Sequence, residues 1–172
     1  MKKLSILLII ITGILSYDIS EAVMTNLVVR AKSKDAKFIG TKMGAKIVIR
    51  DTATGKVLAE GFTSGGTGNT QKIMIEPKTR FGQISEGAAK FETSIDIDEP
   101  TLITVDVEAP YTYKENTIKN STQIWLIPGR DIVGEGLVVE VPGFSVNISA
   151  PGKAKLVNGE AVIPIQASIV MI

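Results

Sequence analysis

The chain contains no cysteine and no histidine. Those absences exclude Ser-His-Asp and Cys-His nucleophilic catalysis, His or Cys zinc sites, redox thiols and any disulfide framework. Aromatic residues make up only 5% of the chain, with a single Trp, which argues against the aromatic-lined subsites of a carbohydrate-active enzyme. Neither sign of charge is in excess: 19 Lys and Arg stand against 18 Asp and Glu, a formal net charge of +1. A nucleic-acid-binding protein carries a basic excess or stripe, so no nucleic-acid partner is expected. The chemistry left open is that of carboxylates, Lys, Tyr or a Ser-Lys pair.

What is present begins with an export pattern. Lys2 and Lys3 form a positive n-region, Leu4 to Leu15 is an almost unbroken apolar run, and Ser16 to Ala22 is polar with small residues at Ser20 and Ala22. This is the anatomy of a secretory signal peptide with cleavage after Ala22. A spanning helix needs roughly 20 apolar residues, and Asp18 and Glu21 end the run too early. The expectation is a signal peptide at 1–22, a single domain at 23–172, no transmembrane span in the mature chain, and an exported protein, periplasmic or extracellular. Small animal secreted domains usually carry disulfides, so their absence favours a bacterial exported protein held together by core burial alone. The sequons at Asn120 and Asn147 are read as chance matches.

Beyond residue 22 the dominant pattern has period two, the signature of half-buried strands. Ile47 and Ile49 alternate with Lys46 and Arg50. Phe91, Thr93, Ile95 and Ile97 alternate with Glu92, Ser94 and Asp96. Ile103, Val105 and Val107 oppose Thr104, Asp106 and Glu108, and Phe144, Val146 and Ile148 oppose Ser145, Asn147 and Ser149. Strands are expected near 25–31, 45–50, 56–62, 71–76, 89–97, 101–108, 122–127, 137–149 and 153–171. The last two should divide at Pro142-Gly143 and at Asn158-Gly159, where Asn-Gly signals a type I′ hairpin turn. Segments 76–89 and 109–121 read as irregular connections, and the charged run Arg30 to Lys37 reads as a solvated hairpin end. No helical stripe of useful length is found. The fold class is all-β, an antiparallel β-sandwich of about seven to ten strands, Ig-like or prealbumin-like.

One stretch carries a family resemblance. Gly44 to Ala59 runs strand, Asp51-Thr52-Ala53-Thr54-Gly55 turn, strand, and leads to Thr63 and Ser64-Gly65-Gly66. It resembles the opening of carboxypeptidase-regulatory-like (prealbumin-like) sandwich domains over about residues 44–66. That family is mostly non-catalytic. Its pattern continues with an aromatic-rich strand, from which Gln71 to Glu76 departs.

Several constellations are candidates for function. The segment Ser64 to Thr70, with Gly65, Gly66, Thr67, Gly68 and Asn69, offers close backbone approach and polar groups for a ligand or partner. It lacks the Gly-Lys-Ser/Thr of a P-loop. Tyr111 and Tyr113 add aromatic surface for a ligand. Trp125, inside the apolar run Ile124 to Ile127, is assigned to the core. Asp96, Asp98 and Glu99 read as a solvated strand end rather than a Ca²⁺ site, which needs six to eight oxygens, so no metal and no cofactor are expected. The chain closes on Ile169, Val170, Met171 and Ile172, either packed in a sheet or offered as an apolar edge for β-augmentation by a partner. Pro164 marks an edge or bulge, and Lys153 and Lys155 are placed on the neighbouring strand as guards. The functional expectation is a non-enzymatic structural or protein-interaction module of a bacterial envelope assembly, partnered by another envelope protein or by itself. The alternative is a soluble periplasmic glycan- or small-ligand-binding module.

Overall fold

The computed structural model describes residues 22–172, so the expected signal peptide lies outside the described residues except for its last position. In chain order the elements are β1 (Val23–Ser33), β2 (Lys46–Asp51), β3 (Val57–Phe62), β4 (Ser64–Thr67), a short helix α1 (Thr70–Met74), β5 (Ala88–Ile97) and β6 (Thr101–Ala109). A 3₁₀ turn at Lys114–Asn116 then precedes β7 (Ile118–Leu126), β8 (Ile132–Val141), β9 (Phe144–Ser149) and β10 (Gln166–Met171). The all-β expectation holds.

Two four-stranded sheets make the body, in the orders β4-β5-β1-β8 and β3-β2-β6-β7. Every pair is antiparallel except β1 with β8, which run parallel. The alternating residues do what their period predicts. Leu27, Val29 and Ala31 of one sheet and Ile47, Ile49, Ile103, Val105 and Val107 of the other fill a shared core, joined by Ile95, Val139 and Val141. The polar residues in alternate positions of β2, β6 and β7 form the outer face, where Arg50 pairs with Asp106 at 3.3 Å and Lys119 with Glu108 at 2.6 Å.

The first sheet is covered on its second face too. Phe38, Ile73 and Ala88 form a smaller buried cluster there, with Ile84 and Val138 against it. This corrects two expectations. The run from Arg30 is no solvated hairpin end: Arg30 is 4% exposed and Lys32 3%. The Arg30 guanidinium is held by the carbonyls of Ala88, Ala89, Gly134 and Glu135 at 2.6–3.2 Å and lies over the Phe38 ring. Burial pushes its pKa down, opposed by the nearby Glu135 and Glu92 carboxylates. Lys32 donates to Glu140 and to the Lys34 carbonyl. A central strand with both faces covered buries its polar alternates, and they persist because every donor finds an oxygen.

The second correction is the expected strand at 71–76, which is helix α1. Asn69 is its N-cap, and its side-chain oxygen accepts from the amides of Gln71 at 3.0 Å and Lys72 at 3.2 Å. The cap satisfies two amides that an isolated turn would leave unpaired, and Ile73 drops into the second cluster. β7 begins at Ile118 rather than 122, so the excursion from the sheet is shorter than expected. The expected strand at 153–171 is reduced to β10. Val157 and Glu160 form only an isolated bridge around Asn158 and Gly159, both at positive φ as a type I′ turn requires. Lys153, Lys155 and Pro164 therefore lie in the connection between β9 and β10, not on a strand.

Candidate functional site

The segment 64–70 is where the chain passes from one sheet to the other. Ser64 to Thr67 is edge strand β4, paired with β5. Thr63, buried at the corner, donates its hydroxyl to the Ile39 carbonyl at 2.8 Å. At Gly65, φ is +124° and an added Cβ would lie 3.0 Å from the Ala89 Cα; at Gly68, φ is +81° and a Cβ would lie 2.9 Å from the Ile73 Cδ1. These glycines permit the close passage of backbone that lets β4 and α1 seat on the sheet. Gly66 and Thr67 both register against Ala88 across a bulge, and Asn69 is occupied as a helix cap.

Tyr111 stacks edge-on against Phe62, ring centroids 4.9 Å apart. Tyr113 lies elsewhere, on a small cleft of about 90 Å³ lined also by Asn116, Ser145, Asn147, Ser168, Val170 and Ile172. The structure thus brings Tyr113 together with two residues of the terminal run, but in a space far below the ~300 Å³ at which small-molecule pockets begin. Trp125 is not core, as expected from its apolar neighbours, but 61% exposed. It registers opposite Leu102 while Ile103 registers opposite Ile124, so Ile124 and Leu126 point inward and Trp125 outward. It borders an open groove with Asp51, Thr52, Glu99 and Thr101. Seven residues of strand separate it from Ile118 at the Tyr111 end of β7, about 23 Å. Among the described residues no group of three or more Asp or Glu is placed to hold a metal ion.

The most informative feature is the C-terminal ribbon. β9 and β10 pair only with each other and join neither four-stranded sheet, so the terminal strand is not packed in a sheet of the body. Their register sets Phe144 opposite Met171, Val146 opposite Ile169, and Ile148 opposite Ala167. Directly opposed residues of an antiparallel pair share a face, so these six form one wholly apolar face. The other face carries Ser145, Asn147, Ser149, Gln166 and Ser168, with Val170 as its one apolar member. Ser145, Asn147, Ser168 and Val170 look across the small cleft to the body. The ribbon is therefore inverted: its polar face meets the protein and its apolar face meets solvent, with Phe144, Val146, Ile148, Ile169 and Met171 between 38% and 67% exposed. Ile172 differs from the three residues before it. It is buried in the main core, and its amide donates to the Gly143 carbonyl at 3.1 Å, anchoring the base of the ribbon.

Of the four terminal residues expected at a partner edge, only Ile169 and Met171 lie on the apolar face; Val170 registers with Ser145 on the polar face and Ile172 is core, while Phe144, Val146, Ile148 and Ala167 were not expected to belong to that surface. The available signal was the matching phase of the two alternations on either side of the Pro- and Gly-containing connection at 150–165. That connection adds further exposed apolar side chains, among them Val162, Ile163 and Ile165. No family model matches the chain, and no curated protein or solved structure matches it.

Proposed function

We propose that this protein is a non-catalytic structural or protein-interaction module of a bacterial cell-envelope assembly, exported to the periplasm or the cell surface. One observation carries the reading: an amphipathic two-stranded ribbon whose apolar face is turned away from its own protein. A lone two-stranded ribbon is at best marginal in water, and a contiguous apolar surface of this kind on a soluble domain marks an interaction site. The missing His and Cys support a non-enzymatic role, and the export pattern at 1–22 and the mostly non-catalytic character of prealbumin-like domains agree with it. Among the described residues no helix is long and apolar enough to cross a membrane.

The test is the native size of the protein after gentle detergent extraction from its own cells. Co-sedimentation with a larger envelope complex, lost when Val146 and Ile169 are both replaced by Asp, is the expected result. A free species in both cases refutes the reading.

A second reading, glycan binding, is favoured by the exposed Trp125 ring beside Asp51, Thr52, Glu99 and Thr101. Such a ring stacks on the apolar face of a sugar while flanking polar groups reach its hydroxyls. Saturable change of Trp125 fluorescence with cell-wall oligosaccharides, unaffected by the ribbon substitutions, is its expected signature.

A further inference from the structure

We infer that the ribbon's partner is a second copy of this chain, the two apolar faces stacking about a two-fold axis that lies between them and across the strands. The inference rests on the interaction reading above and names its partner.

Three features of the face lead there. First, it carries no charged or polar side chain in any of its six positions, so it offers nothing to an anionic, cationic or hydrogen-bonding partner and is best covered by another uncharged apolar sheet face. Isologous pairing supplies one of matching size and shape at equal concentration. Second, the side-chain volumes taper. The row nearest the body is Phe144 with Met171, the middle row is Val146 with Ile169, and the outer row is Ile148 with Ala167. A two-fold axis across the strands reverses one ribbon on the other. Phe144 then meets the second copy's Ile148, Met171 meets its Ala167, and the middle row meets itself. Large faces small at the ends, which keeps the two sheets at the ~10 Å separation that stacked sheets adopt.

Third, the area reaches the lower bound. With five large side chains 38–67% exposed, complete cover of the face on both copies removes at most about 1,000 Å² from water, the size at which specific interfaces begin. Stacking also turns a two-stranded ribbon into a two-layer, four-stranded unit with a buried centre, the condition for strands to be stable.

The experiment is sedimentation velocity over a concentration series on the protein purified as its own cells process it. Three pairs of substitutions are compared: Val146→Asp with Ile169→Asp, Val146→Lys with Ile169→Lys, and Ser149→Asp with Gln166→Glu on the ribbon's polar face. Far-UV circular dichroism and the thermal transition of the body check the fold of each. The wild type and the polar-face variant are expected at twice the chain mass. The Asp and Lys variants each set like charges against themselves and are expected at the chain mass, with the dimer's dissociation constant raised at least a hundredfold. Mixing those two variants restores a dimer, because the middle rows then carry opposite charges. A dimer that survives both middle-row variants overturns the proposal. So does a monomeric wild type. If the wild type is monomeric while the cellular complex still depends on Val146 and Ile169, the self-pairing is wrong and the interaction reading stands with another partner. If no cellular complex exists either, both fall.

Discussion

β1 and the β9–β10 ribbon obey the same alternation and end in opposite situations. In β1 both faces are covered, so that even Arg30 and Lys32 are buried. In the ribbon only Ser145 is buried among twelve strand residues, and the six apolar side chains of one face stand in solvent. Period two decides which residues share a face. It does not decide whether that face is covered, because cover comes from elements distant in sequence. For β1 they are the opposing sheet on one side and the segment carrying Phe38 and Ile73 on the other. The ribbon has a polar cleft on one side and no protein on the other. A strand pattern that is complete and a cover that is missing are the two observations on which the proposed interface rests.

The sharpest way to break this comparison is at Arg30. Replacing it by Ala removes the four hydrogen bonds it donates to strand carbonyls and opens a cavity beside Phe38. We expect a loss of about 3–5 kcal/mol of folding stability, read by urea denaturation. An effect under 1 kcal/mol would mean that the second face of β1 is wetter than its burial indicates.

Identical substitutions in the two regions come next. Ile103→Ala, at a fully buried position of β6, should cost about 2–5 kcal/mol. Ile148→Ala, on the open face of the ribbon, should change the stability of the body by about 0.5 kcal/mol or less while weakening self-association. Equal costs at the two positions would erase the distinction between body and ribbon. At the helix that replaced an expected strand, Asn69→Ala removes the cap and should cost about 1 kcal/mol; no change in the thermal midpoint would remove the cap from the explanation of why 70–74 is helical.

The smallest effect is the response to acid. Hydrogen bonds from the Thr54 amide and side chain hold the Asp51 carboxyl below its ordinary pKa, and hydrogen bonds from Asn26 do the same for Asp131. A depressed carboxylate stabilises the fold fully above the unfolded value of about 3.9, and that contribution is lost as pH falls through the lower folded value. Both groups belong to the body. Asp51→Asn with Asp131→Asn should flatten the acid limb of the body's thermal midpoint and leave dimerisation at neutral pH unchanged. An acid limb as steep as the wild type's would show that other carboxylates govern it.

How much of this was legible in the sequence follows the same division. β2, β5 and β6 were readable because apolar residues alternate there with positions that are mostly charged or polar, such as Lys90, Glu92, Ser94 and Asp96 in β5. The outward direction of Trp125 was also readable, since it falls out of phase with Ile124 and Leu126; the apolar run around it obscured that phase. The helix at 70–74 was not readable by period, because Ile73 and Ile75 alternate like a strand. Only the capping geometry of Asn69 and the pocket waiting for Ile73 decide it. The burial of Arg30 and Lys32 depends on carbonyls of β5 and β8 and on Glu140, which lie far away along the chain. The inverted ribbon needed the register of β9 on β10, set across a connection with little strand structure of its own.

The central claim is that the ribbon's apolar face is built to be covered. Amide hydrogen exchange compared between the assembled wild type and the Val146→Asp, Ile169→Asp variant tests it most directly. The account predicts slow exchange for β1 and β6 in both proteins, with β9 and β10 protected only in the assembled wild type. Equal protection of β9 and β10 in the dispersed variant would show that the ribbon is stable uncovered, and would contradict the account.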